Sequence, residues 1–443
     1  MDRRDFLTRL TAAAGGWLAG SRGSAAGQGG RPGGAGQRPP RGKVVEPARE
    51  IPIVAEADVV VVGGGPAGVA AAVAAARAGA STILIERYNH LGGLWTGGLV
   101  LPLLATHGTD RDGRRRQVIA GIGGEMARRL AAMKMAIHEI DPVVDPEAAK
   151  VVLELMVQEA GVRVLYHCWA AGVLMENGTV RAVLLESKSG RVAVVPKVVV
   201  DCTGDGDVFY WAGESFDMMR YHIGLVHRLG NVDRVDPSKP GFKKIPLGGA
   251  TPLRSVNWVN MHGEKDQDGL DLFNLSRLQQ KYRIEIWNHV EKIRSTPGYE
   301  EVFLLDTASQ LGVRMSRILD GQYRLTLEDS LGHKAFPDSI GVSGAWTSLA
   351  HGGKTISEKE RPSWQIPYRS LVPKRTRNLL VAGRCFSFER ALVEDARVIG
   401  TCLVTGHGAG AAAAVVARSG GSVQEADVAA IRKTLLEQRA FLG

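Results

Sequence analysis

The sequence predicts an α/β chain in which one parallel-sheet domain is split along the chain and interrupted by an inserted α+β domain. Three observations predict it. Asp58–Val62 is a short, continuous β-branched run, the pattern of a strand buried on both faces, and it leads directly into Gly63, Gly64, Gly65, Pro66, Ala67, Gly68 and the Ala-rich helical stretch Val69–Ala78. A second apolar strand, Thr82–Ile85, ends at Glu86. Further strand-like runs, Val198–Val200 and Asn378–Ala382, lie on either side of a region of different texture, 208–370, which carries alternating segments and one long amphipathic stretch, Leu275–Ile293.

Each part of the first unit has a physical task. Gly63 permits a tight turn, Gly65 lets the backbone approach a pyrophosphate, and Gly68 lets helix and strand pack closely. The helix then points its free N–H groups at the phosphates. Glu86 stands where a carboxylate accepts hydrogen bonds from an adenosine ribose. A lone G-x-G-x-x-G is weak evidence. With strand, helix, second strand and terminal acid in order, the unit reads as Rossmann-like and dinucleotide-binding.

Composition sets the bounds. The chain of 443 residues has 44% hydrophobic and 23% charged residues, which suits a globular protein with two to three cores. The net charge is +9, but Lys and Arg are dispersed apart from Arg114, Arg115 and Arg116. No aromatic-interleaved basic stripe accompanies them, which argues against nucleic acid and leaves a surface favouring anionic substrates. Cys168, Cys202, Cys385 and Cys402 form no C-x-x-C pair, so no metal or iron–sulfur site is expected. The last three sit in apolar runs and read as buried thiols, although spacing alone leaves two disulfides open.

The N-terminus reads as an address. Arg3-Arg4, a spacer, Phe6-Leu7 and the mildly apolar Ala12–Ala19 match a twin-arginine export signal, and the apolar run is too short for a stable membrane span. A Gly/Ser/Pro-rich stretch follows, ending in Arg38-Pro39-Pro40-Arg41, which reads as a disordered tether.

The loop after Glu86 narrows the cofactor. Arg87 through Gly98, with Leu91-Gly92-Gly93 and Thr96-Gly97-Gly98, resembles the two-dinucleotide-binding-domain flavoproteins, and in particular the branch called FAD-dependent oxidoreductases. Two further segments match that branch in order: Asp201-Cys202-Thr203-Gly204-Asp205-Gly206-Asp207, and Asn378–Cys385 followed by Ala396–Cys402 and a Gly/Ala-rich helix. The resemblance implies a Rossmann-like FAD-binding domain, discontinuous, with an inserted α+β substrate domain. It assigns to FAD the residues Gly63, Gly65, Pro66, Ala67, Gly68, Glu86, Arg87, Gly92, Gly93, Thr96, Ala170, Gly204, Asp205, Gly383, Arg384, Arg397, Thr401 and Cys402. It also implies that the C-terminal helix points its N-terminus at the pyrimidine end of the flavin, where unpaired N–H groups stabilise negative charge. This chain departs from the pattern at Gly400 (Pro expected), His407 (Gln), Arg390 (His) and Met315 (Glu). The Arg390 departure removes a proton-transfer group.

The resulting boundaries are 1–26 signal, 27–50 linker, 51–207 first part of the FAD-binding domain, 208–370 substrate domain, 371–420 second part and 421–443 closing helix. The closing helix is expected to pack through Val428, Ile431, Leu435 and Leu436. On the substrate side, Met219–Leu229 reads as a strand on which His222 and His227 face opposite ways, and His227 is the candidate for the pocket. Arg314 and Arg317 are candidates to clamp an anion, and Tyr368 with Arg369 stand at the junction back to the FAD domain. His333 and His351 are expected to be exposed.

The implied activity is hydride transfer from a small-molecule substrate to flavin N5, with reoxidation by an electron carrier or O2. The export machinery is a transient partner, and the destination is periplasmic or secreted. An NAD(P)-dependent dehydrogenase would need a second strand–GxGxxG–helix, and Gly406-His407-Gly408-Ala409-Gly410 has other spacing. A flavin-carrying binding or assembly protein without turnover stays open through Arg390 and Met315.

Overall fold

A computed structural model describes residues 42–110, 112–344 and 362–443. The arginine pair, the apolar run, most of the tether and His351 lie outside the described residues. Residues 42–50 are exposed and carry no helix or strand.

The mixed α/β architecture is built around a sheet whose parallel half holds β3 (Arg163–Leu165), β2 (Thr82–Ile85), β1 (Ile53–Val62), β6 (Gly190–Asp201) and β12 (Leu379–Val381), in that order. Register is set by matching apolar runs. Val59–Val62 lies beside Val198–Asp201, and Val199–Asp201 beside Leu379–Val381. Strand order therefore joins segments nearly 200 residues apart. The N-terminal half of β6 turns instead to the antiparallel β5 (Thr179–Ser187), which pairs with β4 (Trp169–Glu176). Val59, Val60, Val61 and Val62 are buried, each contributing about 1.5–3 kcal/mol relative to exposure.

Helix α1 (Pro66–Arg77) starts three residues earlier than the composition suggested, because Pro66 occupies the first turn, where its missing N–H is no loss. Its Ala67–Ala75 stretch is buried all round, between the sheet and α5 (Ile399–Ser419). The two helices touch backbone to backbone. A methyl group on Gly406 would lie 2.1 Å from the Ala67 carbonyl oxygen, and one on Gly410 2.1 Å from that of Ala71. Helix α5 is long and apolar enough to cross a membrane, a match the sequence reading overlooked, and it is wholly buried within the protein. Helices α2 (Gly121–Ala132) and α3 (Pro146–Glu159) complete the same layer, with the Asp145 side chain capping α3 through Ala148 N–H.

The insert forms a second sheet, β8 (Gly249–Ala250), β9 (Asn257–Gln267), β7 (Tyr221–Gly230) and β10 (Phe303–Thr307), with β11 (Gly312–Val313) also paired to β7. Helix α4 (Leu272–Arg294) covers it through Leu278, Tyr282, Ile286, Val290 and Ile293, a 3.6-period stripe packed on Ile223, Leu225, Val226 and Leu229. Strand β7 shifts register against β9 between Tyr221 and Ile223 and between Leu225 and His227. At both places two steps along β7 face three along β9, so the extra residue lies in β9 and neither shift interrupts alternation along β7. The closing helix α6 is shorter than the tail pattern implied, Val428–Glu437. Ile431 and Leu435 are buried but Leu436 is exposed, because two residues suffice at this contact. All four cysteines are free thiols.

His407 lies inside this core on α5, with Nε2 at 2.8 Å from Gln438 Oε1. Burial pulls its pKa from the ordinary 6.5 down to about 4. The folded state thus binds fewer protons than the unfolded chain between those values. The resulting stability is present above pH 6.5 and lost as pH falls through about 4, on the order of 3 kcal/mol. His407→Gln should flatten this dependence in denaturant unfolding measured from pH 4 to 7; an unchanged slope would contradict the assignment.

Candidate functional site

Backbone sterics build the first loop. Gly63 has φ +100°, and a methyl there would lie 2.5 Å from the Cys202 carbonyl oxygen, while one on Gly68 would lie 1.7 Å from that of Gly63. No other residue fits either position. Gly65 is the N-cap of α1 and differs in kind. Its φ is −67°, nothing lies within 4 Å of the place a methyl would occupy, no side chain caps the helix, and the first turn holds no acid. An uncapped helix end facing open space suits a pyrophosphate.

Glu86, 5% exposed at the end of β2, fixes the rim of this loop. Its Oε2 accepts Gly64 N–H at 2.7 Å and its Oε1 accepts Tyr88 N–H at 2.8 Å. Each oxygen retains a lone pair for a ribose hydroxyl. The Arg87 guanidinium lies 4.9 Å from the Tyr88 ring and 5.0 Å from the Trp169 ring, next to Ala170 on β4. The second glycine loop is tied to the first: Gly92 N–H donates to Gly64 O at 2.8 Å, and a methyl on Gly93 would lie 3.0 Å from Gly65 Cα. Thr96 is buried and donates to Leu91 O.

The downstream segments converge on the same helix end. Gly383 lies against Ala67, where a methyl would be 3.1 Å from the Ala67 Cβ, and its N–H donates to Thr405 Oγ1 at 3.0 Å. Asp205 Oδ1 accepts Ser316 Oγ at 2.7 Å and Arg384 Nη2 at 2.8 Å, and the Arg384 guanidinium covers Gly204. Burial raises the Asp205 carboxyl, but Arg384, Arg87 and the two hydrogen bonds outweigh it and hold the group below its ordinary value. It is a fixed anion. Asp201, by contrast, holds the turn through Thr203 and Phe209, and burial raises it to about 6. Among the described residues, the buried Arg384 Nε and Trp95 Nε1 have no hydrogen-bond partner. The open helix end, the polar rim and these N–H groups fit FAD, which Gly63–Gly68, Glu86, Gly92–Gly93, Asp205 and Gly383–Arg384 would hold.

A second group of charged side chains lies between β7 and the start of α5. Glu394, buried on the short helix Val393–Ala396, accepts a hydrogen bond from the Tyr221 hydroxyl, pairs with Arg397, and lies 3.7 Å from Arg314 Nη1. Burial, then Arg314, lowers Arg397 to about 10. Burial, then Arg314, then Arg397 against an opposing Gly263 backbone contact, lowers His222, which is therefore neutral at pH 7. Thr401 is buried, with Oγ1 donating to Asp395 O at 2.8 Å, and Cys402 Sγ contacts Arg397 O at 3.5 Å.

Other candidates do not join this group. His227 is buried within the insert sheet, opposite Val259 and Thr307. Tyr368 is buried with its hydroxyl donating to Val423 O at 2.7 Å. Arg369 pairs with Asp338 at 2.9 Å and lies 5.2 Å from the Tyr323 ring. The junction that carries Tyr368 is tied to the closing segment through Val423. Arg317 bridges Asp207 and the Asp205 carbonyl. His333 is half-buried, bonded to Ser363 O. Sequence reasoning did not single out Tyr221 or Glu394, and of the two histidines of β7 it named His227, whereas His222 is the one that faces Arg314 and Arg397; the Glu394-x-x-Arg397 spacing immediately ahead of α5 was the available signal. Tyr368→Phe should cost about 1–2 kcal/mol of stability and leave flavin content and turnover unchanged; loss of turnover without loss of stability would return Tyr368 to the site.

The fold and the paired glycine loops define a flavin-binding dinucleotide enzyme. The chain belongs to the family described as FAD dependent oxidoreductase, whose profile matches residues 58–435, and FAD is its cofactor. Among curated proteins none matches the sequence. Similar solved structures include a geranylgeranyl bacteriochlorophyll reductase-like protein from Thermoplasma acidophilum, at 17% identity and TM-score 0.43, covering 87% of this chain and 84% of that one. A Diels-Alderase of pyrroindomycin biosynthesis matches at 15% identity and TM-score 0.43, covering 86% and 69%. A flavin-dependent brominase matches at 13% and 0.44, covering 87% and 83%.

Proposed function

We propose that this FAD enzyme oxidises a small organic substrate held between β7 and the start of α5. The observation that carries the reading is the group Tyr221, His222, Arg314, Glu394 and Arg397, gathered where the insert meets the FAD-binding segments. FAD, when bound, supplies the hydride acceptor at N5. His222 is neutral at pH 7 and able to take a proton from a substrate O–H or N–H, the task left open by Arg390, which is exposed and donates to Met218 O. Glu394 holds the two arginines and the tyrosine in place.

The proposal includes the domain division at 207/208 and 370/371. It also includes export through the twin-arginine route, and reoxidation by an electron carrier or O2 outside the cytoplasm. The test is anaerobic mixing of the FAD-loaded protein with panels of alcohols, amines, and hydroxy and amino acids. Bleaching of the flavin by one class, slowed in His222→Gln with FAD content unchanged, is the expected result. A flavin that photoreduces normally but is bleached by no panel member would overturn the reading.

A further inference from the structure

We infer that Gln310 and Ser316, both on the insert, are positioning residues for FAD, and that the insert segment Ser309–Arg317 is part of the cofactor site. The inference concerns how the cofactor is held and does not depend on the substrate reading above.

The segment joins two cores. It follows β10, contributes β11 beside Ile223 and Gly224 of β7, and then runs in among the FAD-binding segments. Val313 packs in the core of the insert, whereas Met315 and Ile318 are buried in the core that contains α1 and α5.

One end of the segment grips the second glycine loop. Gly97 O accepts Gln310 N–H and Ser309 Oγ–H, each at 3.1 Å. Gln310 Nε2 lies 3.4 Å from His90 Nε2, and both side chains are buried. Across the ring, His90 Nδ1 lies 3.2 Å from Leu91 O and 3.3 Å from Thr96 Oγ1, whose own proton goes to Leu91 O. Both oxygens can only accept there, so Nδ1 carries the ring proton and Nε2 offers the lone pair that Gln310 meets. The fit is closed, since a methyl on Gly97 would lie 2.4 Å from His90 Cε1 and 2.6 Å from Gln310 Nε2. Between His90 and Gly97 in the chain stand Gly92 and Gly93, the pair seated on Gly64 and Gly65 at the start of α1.

The other end grips Asp205. Ser316 is fully buried and donates to Asp205 Oδ1 at 2.7 Å, while Arg317 Nη1 donates to Asp205 O at 2.9 Å and to Asp207 Oδ1 at 3.0 Å. Asp205 is therefore held by Arg384 of the C-terminal segment and by Ser316 of the insert. The second glycine loop and the Asp205 turn both take their shape from one stretch of the insert. Losing the Gln310 side-chain N–H strands the buried His90 Nε2, and losing the Ser316 hydroxyl leaves Asp205 Oδ1 to Arg384 alone. A buried polar group without its partner is costly and is relieved by movement, which carries the loop with it.

The test is FAD titration of the flavin-stripped full chain, read by the visible flavin spectrum at a temperature where circular dichroism shows every variant folded. Gln310→Met keeps the side chain's length and loses the donor; Ser316→Ala loses the hydroxyl. Each should weaken FAD about tenfold and alter the shape of the flavin bands. Val290→Ala, a truncation in the insert core under α4, is the control: it should lower the unfolding temperature and leave FAD affinity and spectrum as in the wild type. Wild-type affinity and spectrum in both Gln310→Met and Ser316→Ala would overturn the inference. So would equal loss of FAD in Val290→Ala, which would make the effect one of general stability.

Discussion

Gly65→Asp is expected to abolish FAD binding while leaving the protein as stable as before, or slightly more so. The position has φ −67° and ψ −176°, which any residue adopts, and there is room for the side chain. Asp is a preferred N-cap, so its carboxylate would accept the free N–H groups at the start of α1 and add a few tenths of a kcal/mol. Those are the N–H groups the pyrophosphate needs. Losing two charge-assisted hydrogen bonds, at about 1.5–3 kcal/mol each, weakens FAD by at least about 100-fold. Flavin content on purification and FAD titration of the apoprotein measure it; a variant retaining its flavin would show that α1 does not hold the phosphates.

The second large effect concerns Asp205. Asp205→Ala removes the partner of Arg384 and leaves a guanidinium almost enclosed beside Gly204, with side-chain exposure of only 17%. Breaking such a pair from one side costs about 3–5 kcal/mol. The double variant Asp205→Ala with Arg384→Met, which leaves no unpaired charge, should recover most of that loss. Denaturant unfolding of the wild type, both single variants and the double variant gives the coupling directly. Additive losses would show that the two residues do not act as a pair.

The sheet and the cofactor loops were legible because local physics fixes them. The run Asp58–Val62 has one good environment, a buried parallel strand, and Gly63 and Gly68 leave no choice of residue at the turn. The pairing of Gly406 and Gly410 with α1 was not read, since close approach of two helices shows only in three dimensions. The charged group between β7 and the start of α5 was harder to read for the same reason. Tyr221 and Glu394 are 173 residues apart and meet through a side-chain hydrogen bond that no periodicity announces. Alternation along β7 says only that His222 and His227 face opposite ways; it does not say which of the two faces Arg314 and Arg397, and the contacts of His222 show that only in three dimensions. Tyr368 and Arg369 were nominated by their place in the chain, which does not show the hydrogen bond to Val423 or the pairing with Asp338.

The measurement that tests the central claim most directly is the visible absorption spectrum of the purified, folded protein, with the released cofactor identified after denaturation. Flavin bands, and free FAD in about one equivalent per chain, are the predicted result. A colourless protein that refuses FAD but binds NAD would contradict it.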